Sequence, residues 1–254
     1  MEIPLFPLHT VLAPGLALPL HIFEERYRVM VRRCLDTSSP FGVVLIRRGP
    51  EVAPPVGETR ELAIAGVGTL AEIREASRYA DGRWDLLCVG STRFAVQDVV
   101  TGREPYLVGI VDPVDDETGD RVAAAALVRR VTRRFVAYLR LLQPRDGEAA
   151  DPIDVQVELD AADDADGEGP LDADDADGGA AAGLRIPGDP SALSFLLTGI
   201  VQAEPARKQA LLEAPSAEAR LRDLDALLGR ELMLLTRRLA PFSVDRRTAG
   251  AEVN

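Results

Sequence analysis

The sequence predicts an α+β fold, a mostly β unit with one helix followed by a bundle of helices, and three observations predict it. Up to about residue 118 the apolar residues come in short runs bounded by Pro, Gly and Asp, which is the punctuation of strands and turns. Beyond it they recur at three and four over long stretches, which is the period of helices with one buried stripe. Between two of those stretches lies an acidic segment with hardly any apolar period.

The elements follow in order. Ile3-Pro-Leu-Phe-Pro-Leu8 and Val11-Leu-Ala-Pro-Gly-Leu-Ala-Leu-Pro-Leu-His-Ile-Phe23 are apolar runs interrupted by Pro4, Pro7, Pro14 and Pro19. Each proline removes a backbone donor and biases its predecessor toward extended geometry, so both runs are expected as short edge or crossover strands. At Glu24 the rhythm changes. Tyr27, Met30, Val31 and Cys34-Leu35 take one face, and Glu24, Glu25, Arg28, Arg32 and Arg33 the other, which predicts a helix of about three turns. Phe41 to Arg47, Leu62 to Glu75, Asp85 to Val99 and Tyr106 to Val111 read as strands, the second and third joined as a hairpin by Asp81-Gly82. Asp112 to Asp120 is a short polar joint, too short to tether the two units loosely.

Helical signal begins with Asp120 to Gln143, where Leu127, Val131, Phe135, Leu139 and Leu142 form a stripe that Pro144 stops. Asp189-Pro190 reads as an N-cap followed by Pro at the first helical position, with Leu193, Leu196, Leu197 and Ile200 along one side. Glu204-Pro205 opens a short helix through Leu212. Pro215-Ser216 caps the last, in which Leu221, Leu224, Leu228, Leu232, Leu235 and Leu239 recur. The expected organisation is a β unit over 1–118, a first long helix over 119–143, an acidic disordered insert over 144–187, the remaining helices over 188–241 and a disordered tail over 242–254.

The first forty-six residues also resemble the amino-terminal, substrate-binding domain of the Lon protease family. The resemblance rests on Pro4-Leu-Phe-Pro-Leu8, Val11-Leu-Ala-Pro-Gly15, Leu18-Pro-Leu-His-Ile-Phe-Glu-Glu-Arg-Tyr27 and Phe41-Gly-Val-Val-Leu-Ile46, in that order and at the family's spacing. Val67 to Ile73, Trp84 to Phe94, Asp189 to Phe195 and Arg207 to Glu213 extend it over nearly all the chain apart from the acidic segment. It implies that the β unit is a small pseudo-barrel of the PUA-like type, and that the chain recognises unfolded or partly folded polypeptides in connection with protein turnover or quality control. A separate protease or ATPase is the partner that would collect them.

The net charge of -12 is almost all in one place: residues 144 to 183 hold fourteen Asp or Glu against one Arg. No aromatic residue lies there, and such a composition cannot bury enough apolar area to fold. An EF-hand is a poor fit, because Gly167 and Gly178 have Ala162 and Ala173 where the first acidic ligand belongs. The start, Met1-Glu2, lacks a basic n-region, and four prolines within nineteen residues break the apolar stretch that follows, so neither export nor a membrane span is expected. The expected compartment is the cytoplasm. Cys34 and Cys88 have apolar neighbours and no CxxC spacing, and read as buried free thiols.

The chemistry of an ATP-dependent protease is missing. The sequence has no Gly-Lys pair and hence no phosphate-cradling G-x-x-x-x-G-K-[ST] loop. Its one Lys, Lys208, lies in the polar run Ala206-Arg-Lys-Gln, expected as a solvated helix face and not as the base of a Ser-Lys dyad. His9 and His21 lie among apolar residues and read as structural. No cofactor, metal or catalytic residue is therefore assigned, and the expectation is a binding protein, not an enzyme. Phe23, Tyr27 and Tyr106 are the candidate peptide-binding residues, lining a groove between the Pro-rich strands, unless Phe23 and Tyr27 are core anchors of the helix. Arg121, Arg129, Arg130, Arg133, Arg134 and Arg140 form a basic face with three readings: a solvated surface, a site for nucleic acid or an acidic partner, or a contact for the chain's own acidic segment. Nucleic acid is disfavoured for the β unit, since residues 1 to 115 carry twelve Arg against fifteen Asp or Glu.

Overall fold

The computed structural model describes residues 1–49, 62–142, 155–157 and 184–239. Its strands are β1 (Glu2–Leu8), β2 (Ala17–Ile22), β3 (Phe41–Arg48), β4 (Ala63–Ile64), β5 (Val67–Arg78), β6 (Trp84–Val100), β7 (Leu107–Val114), β8 (Val155–Val157) and β9 (Leu184–Ile186). Its helices are α1 (Glu25–Thr37), α2 (Arg121–Leu142), α3 (Pro190–Ile200), α4 (Pro205–Leu212) and α5 (Ala217–Leu239). The fold is α+β, as the sequence predicts.

Of the two expectations for the first Pro-rich run the edge reading is corrected: β1 crosses from one partner strand to another. The sheet runs β1-β7-β6-β5-β3 and closes by a second pairing of β1, parallel to β3, so that β1 is the seam of a small barrel. Its residues 2–5 pair antiparallel with β7 and its residues 5–8 parallel with β3. Proline fits there for a geometric reason. Met1 and Val111 exchange both main-chain hydrogen bonds, and an antiparallel ladder bonds every second residue, so Ile3 and Leu5 carry the ladder and Pro4 falls between them, where no N–H is needed. The second run behaves as expected: β2 lies along the first half of β6 and pairs with no other described strand. β5 and β6 form the expected hairpin, turned at Gly82 with φ of 87°.

Two apolar clusters fill this lobe. Ile3, Leu5, Val44, Leu70, Phe94 and Val111 occupy one. In the other, α1 presses Tyr27, Met30, Val31 and Cys34 onto Phe6, Phe41, Cys88 and Tyr106, with the rings of Phe6 and Tyr27 4.3 Å apart. Burial of this kind disfavours a thiolate, and it raises the Cys34 pKa to about 11 and the Cys88 pKa to about 12. Both thiols should therefore resist a thiol-specific disulfide reagent at neutral pH and react only on global unfolding. Because an unfolded thiol ionises first, stability should also fall as pH rises past about 9 toward these values. Labelling that runs ahead of the loss of ellipticity would contradict the burial.

The helical lobe is built as its periodicity predicts, except that Leu142, at the last position of α2, is exposed and not part of the buried stripe. Leu127, Val131 and Phe135 of α2 pack with Leu193 and Leu197 of α3 and with Leu221, Leu224 and Leu228 of α5. Asp120 caps α2 through the N–H groups of Val122 and Ala123, and Asp189 caps α3 through that of Ala192. Within the span expected to be a disordered insert, β8 and β9 pair in parallel, and Ile186 is buried in the helical core. The apolar-polar-apolar triplets Val155-Gln-Val157 and Leu184-Arg-Ile186 were hidden by the acidic average around them. The rest of that expectation, residues 144–154 and 158–183, lies outside the described residues, as does the expected tail over 242–254.

The two lobes are joined through buried charge. Arg93 of β6, 2% exposed, donates to the carbonyls of Leu212 and Ala214 and to Asp116, and Arg220 of α5, fully buried, donates to Asp116 at 2.6 Å and to Ser194 at 2.8 Å. Phe195 of α3 lies against both, with the Arg220 guanidinium 3.7 Å from its ring centre. Burial lowers both guanidinium pKa values below the ordinary arginine value, against the opposing pull of Asp116. Beside this hub the joint itself is hydrogen-bonded, Ala217 and Glu218 donating to the carbonyls of Glu117 and Thr118. The joint thus starts α5 as well as linking the lobes.

Candidate functional site

Of the three predicted binding residues, one is on the surface. Phe23 is 52% exposed, whereas Tyr27 and Tyr106 are 5% and 3% exposed and belong to the core that seats α1. Tyr106 is further held by Arg33, which donates to its hydroxyl at 3.0 Å. Tyr27 is thus a core anchor of α1, as the alternative reading has it, on the buried stripe with Met30 and Val31; Phe23, which precedes that helix, is not, and Tyr106 is a correction.

Phe23 and Tyr27 still meet at one small cleft. It holds about 280 Å³ between the outer edge of β2 and the start of α1, with Phe6, Pro19, Leu20 and Ile22 as apolar walls. Beside it, His21 is exposed and not a core residue, since alternate residues of an edge strand face solvent. Its Nδ1 lies 2.6 Å from Asp85 Oδ1, and the Tyr79 hydroxyl donates to the other oxygen. Hydrogen bonds from Tyr79 and then His21 lower the Asp85 pKa, and the same carboxylate raises that of Tyr79. Among the described residues, the side chains bonded to His21 are Asp85 and Arg83, and none is a Ser or Cys.

A larger groove lies between the lobes, one that no motif announces. β3 contributes Leu45, Ile46 and Arg47, and α4 contributes Ala206, Gln209 and Ala210, around about 630 Å³. Pro205 at the first position of α4 sets where that helix begins, and Gln209, one turn on, faces back to the barrel. Gln209 Nε2 donates to the Val67 carbonyl at 2.9 Å and to Glu213 at 2.8 Å. Both of its acceptors are oxygens, so the amide cannot be turned over without setting oxygen against oxygen. Its Oε1 is buried, with no hydrogen-bond partner among the described residues. An orphan acceptor of this kind costs about 1–3 kcal/mol. At the rim Arg47 donates to Glu213 at 2.9 Å, and both are partly exposed, so this ion pair contributes about 0–1 kcal/mol.

The basic face of α2 is partly spent. Arg130 and Arg134 pair with Asp225 of α5, while Arg129, Arg133 and Arg140 have no acidic partner among the described residues. Lys208 is also a correction. Its Nζ donates to the Gly199 carbonyl at 2.7 Å, closing the end of α3, and burial lowers its pKa. It is a structural cap, with no hydroxyl partner among the described residues. Among the described residues there is no cluster of His, Cys, Asp and Glu that would hold a metal, and no helix is long and apolar enough to cross a membrane.

Comparison with known proteins agrees with the architecture. The chain is 23% identical over 237 residues to a Lon protease of Syntrophus aciditrophicus and 25% identical over 236 residues to Lon protease 2 of Herpetosiphon aurantiacus. These alignments take in 92% of the chain and 25% and 24% of the two relatives, so it spans about a quarter of their length. A crystal structure of a Lon N-terminal domain protein from Xanthomonas campestris has a TM-score of 0.53 at 22% identity, covering 89% of this chain and 98% of that one. The N-terminal domain of the Mycobacterium avium complex Lon protease has a TM-score of 0.56 at 16% identity, covering 90% and 98%. The family model for the ATP-dependent protease La (LON) substrate-binding domain matches residues 2–230, across both lobes, and this chain belongs to that family.

Proposed function

We propose that this chain recognises non-native polypeptide and carries out no covalent chemistry of its own. The observation that carries this reading is the interlobe groove, which presents Leu45, Ile46, Pro205 and Ala210 beside His9, exposed here and not a core residue, with one balanced ion pair at its rim and, among the described residues, no nucleophile or metal ligand set. Such a surface suits the apolar residues that unfolding exposes. The Lon relatives support the destination of what is bound: a protease or ATPase would receive it in protein turnover. Two free buried thiols suit a reducing compartment, which supports the cytosol as the place of action.

The test is a fluorescence-anisotropy titration with reduced, carboxymethylated α-lactalbumin against the same protein in its native form. Binding to the unfolded form alone is expected, without turnover of ATP or casein by the purified chain. Equal binding of both forms, or of neither, would overturn the reading.

A further inference from the structure

We propose that the groove between β3 and α4 takes an extended, uncharged, apolar stretch of polypeptide, one main-chain N–H of which is accepted by Gln209 Oε1. This rests on the polypeptide-binding reading and names where and how the chain is held. Three features of the groove converge on that occupant.

The first is an open strand edge. β4 and β5 follow one another along one edge of β3, the Ala65 N–H bonding the Leu45 carbonyl between them. The other edge is paired with β1, but that register ends at Leu8 opposite Leu45. From Ile46 to Arg48 this edge has no strand partner among the described residues, and Ile46 and Arg47 line the groove with His9, the residue that follows β1. A peptide in extended form can continue the ladder there in the place that β1 vacates.

The second is the orphan oxygen of Gln209, a residue 3% exposed, whose amide is fixed by the Val67 carbonyl and Glu213. What it lacks is a donor, and an extended chain offers an N–H at every second residue along its length. The bond to Val67 also makes the groove continuous with the contact between the lobes. The third is charge. Arg47 and Glu213 neutralise each other, so an acidic or basic stretch would have to compete with an existing partner, whereas an uncharged one need only displace a weak, partly exposed pair.

The test uses the full chain and a fluorescein-labelled nonapeptide of alternating leucine and serine, beside the same peptide with alternate main-chain nitrogens methylated. Wild type should bind the first and lose about tenfold in affinity for the second. Ala210 is exposed, so Ala210→Trp should leave the melting temperature in place while filling the groove, and should weaken the unmethylated peptide at least tenfold. Ala206→Trp, one turn earlier, serves if that variant does not fold. Unchanged affinity in a folded groove variant would overturn the assignment of the groove while leaving polypeptide recognition standing. Equal affinity for the two peptides would overturn the role of Gln209. Failure of wild type to bind carboxymethylated α-lactalbumin would overturn the broader reading, and this one with it.

Discussion

Asp116→Ala should lower the free energy of unfolding by about 3–5 kcal/mol, because it strips the counter-charge from two buried guanidinium groups at once. Asp116 Oδ1 accepts from Arg93 at 3.1 Å and from Arg220 at 2.6 Å, and those arginines are 2% and 0% exposed. The stoichiometry is uneven, two cations to one carboxylate, and this sets an order among variants. Removing Arg220 leaves a balanced Arg93–Asp116 pair, and a Met in its place keeps much of the volume against Phe195. Arg220→Met should therefore cost less, under about 2 kcal/mol, chiefly the charged hydrogen bond to Ser194. Urea titrations of the two variants decide the matter. Equal costs, or a larger cost for Arg220→Met, would mean that the hub is held by packing on Phe195 and not by its charge. Arg93 also binds the carbonyls of Leu212 and Ala214 at the end of α4, so a loosened hub should open the groove, and peptide affinity should fall with stability.

Local patterns in the sequence reached some of this and not the rest. The stripe of α1 was legible because three residues, Tyr27, Met30 and Val31, repeat on one face within two turns, and the cap Asp189 was legible because it bonds Ala192, only three residues on. What a residue does to a distant element was not. Pro4 looks like an edge signal, yet sits in the seam of a barrel because its position in the ladder of β7 needs no donor. Lys208 looks solvated in its run of polar neighbours, yet bonds Gly199 on the preceding helix. Arg93 and Arg220 look like ordinary surface charges, and only the approach of β6 to α5 makes them a buried pair around Asp116. The groove is the extreme case. Ile46 and Gln209 carry no shared motif, and the orphan oxygen of Gln209 exists only because Val67 and Glu213 occupy its donors.

Gly68→Ala should cost about 1–3 kcal/mol, the range for forcing extra volume into a packed interior, and two residues away Gly66→Ala should not. A methyl carbon on Gly68 would lie 2.5 Å from Phe94 Cζ, 2.5 Å from the Val43 carbonyl oxygen and 2.7 Å from Val44 Cγ1. The ring could turn aside. The carbonyl cannot, because Val43 is paired with Thr69 in the β3–β5 ladder, and moving it breaks the register that closes the barrel. A methyl on Gly66 would meet nothing within 4 Å, so there the substitution only reduces the freedom of the unfolded chain and should be neutral or stabilise by about 0.4–1 kcal/mol. Phe94→Leu in the Gly68→Ala background should recover only part of the loss, since it frees the ring contact and leaves the carbonyl contact. Full recovery would show that β3 yields freely and that the barrel is not closed as tightly as Phe94, fully buried between Gly42 and Gly68, requires. The consequence for recognition is direct: Val67, next to Gly68, supplies the carbonyl that orients Gln209, so a barrel that opens at Gly68 should also lose the preference for unmethylated peptide.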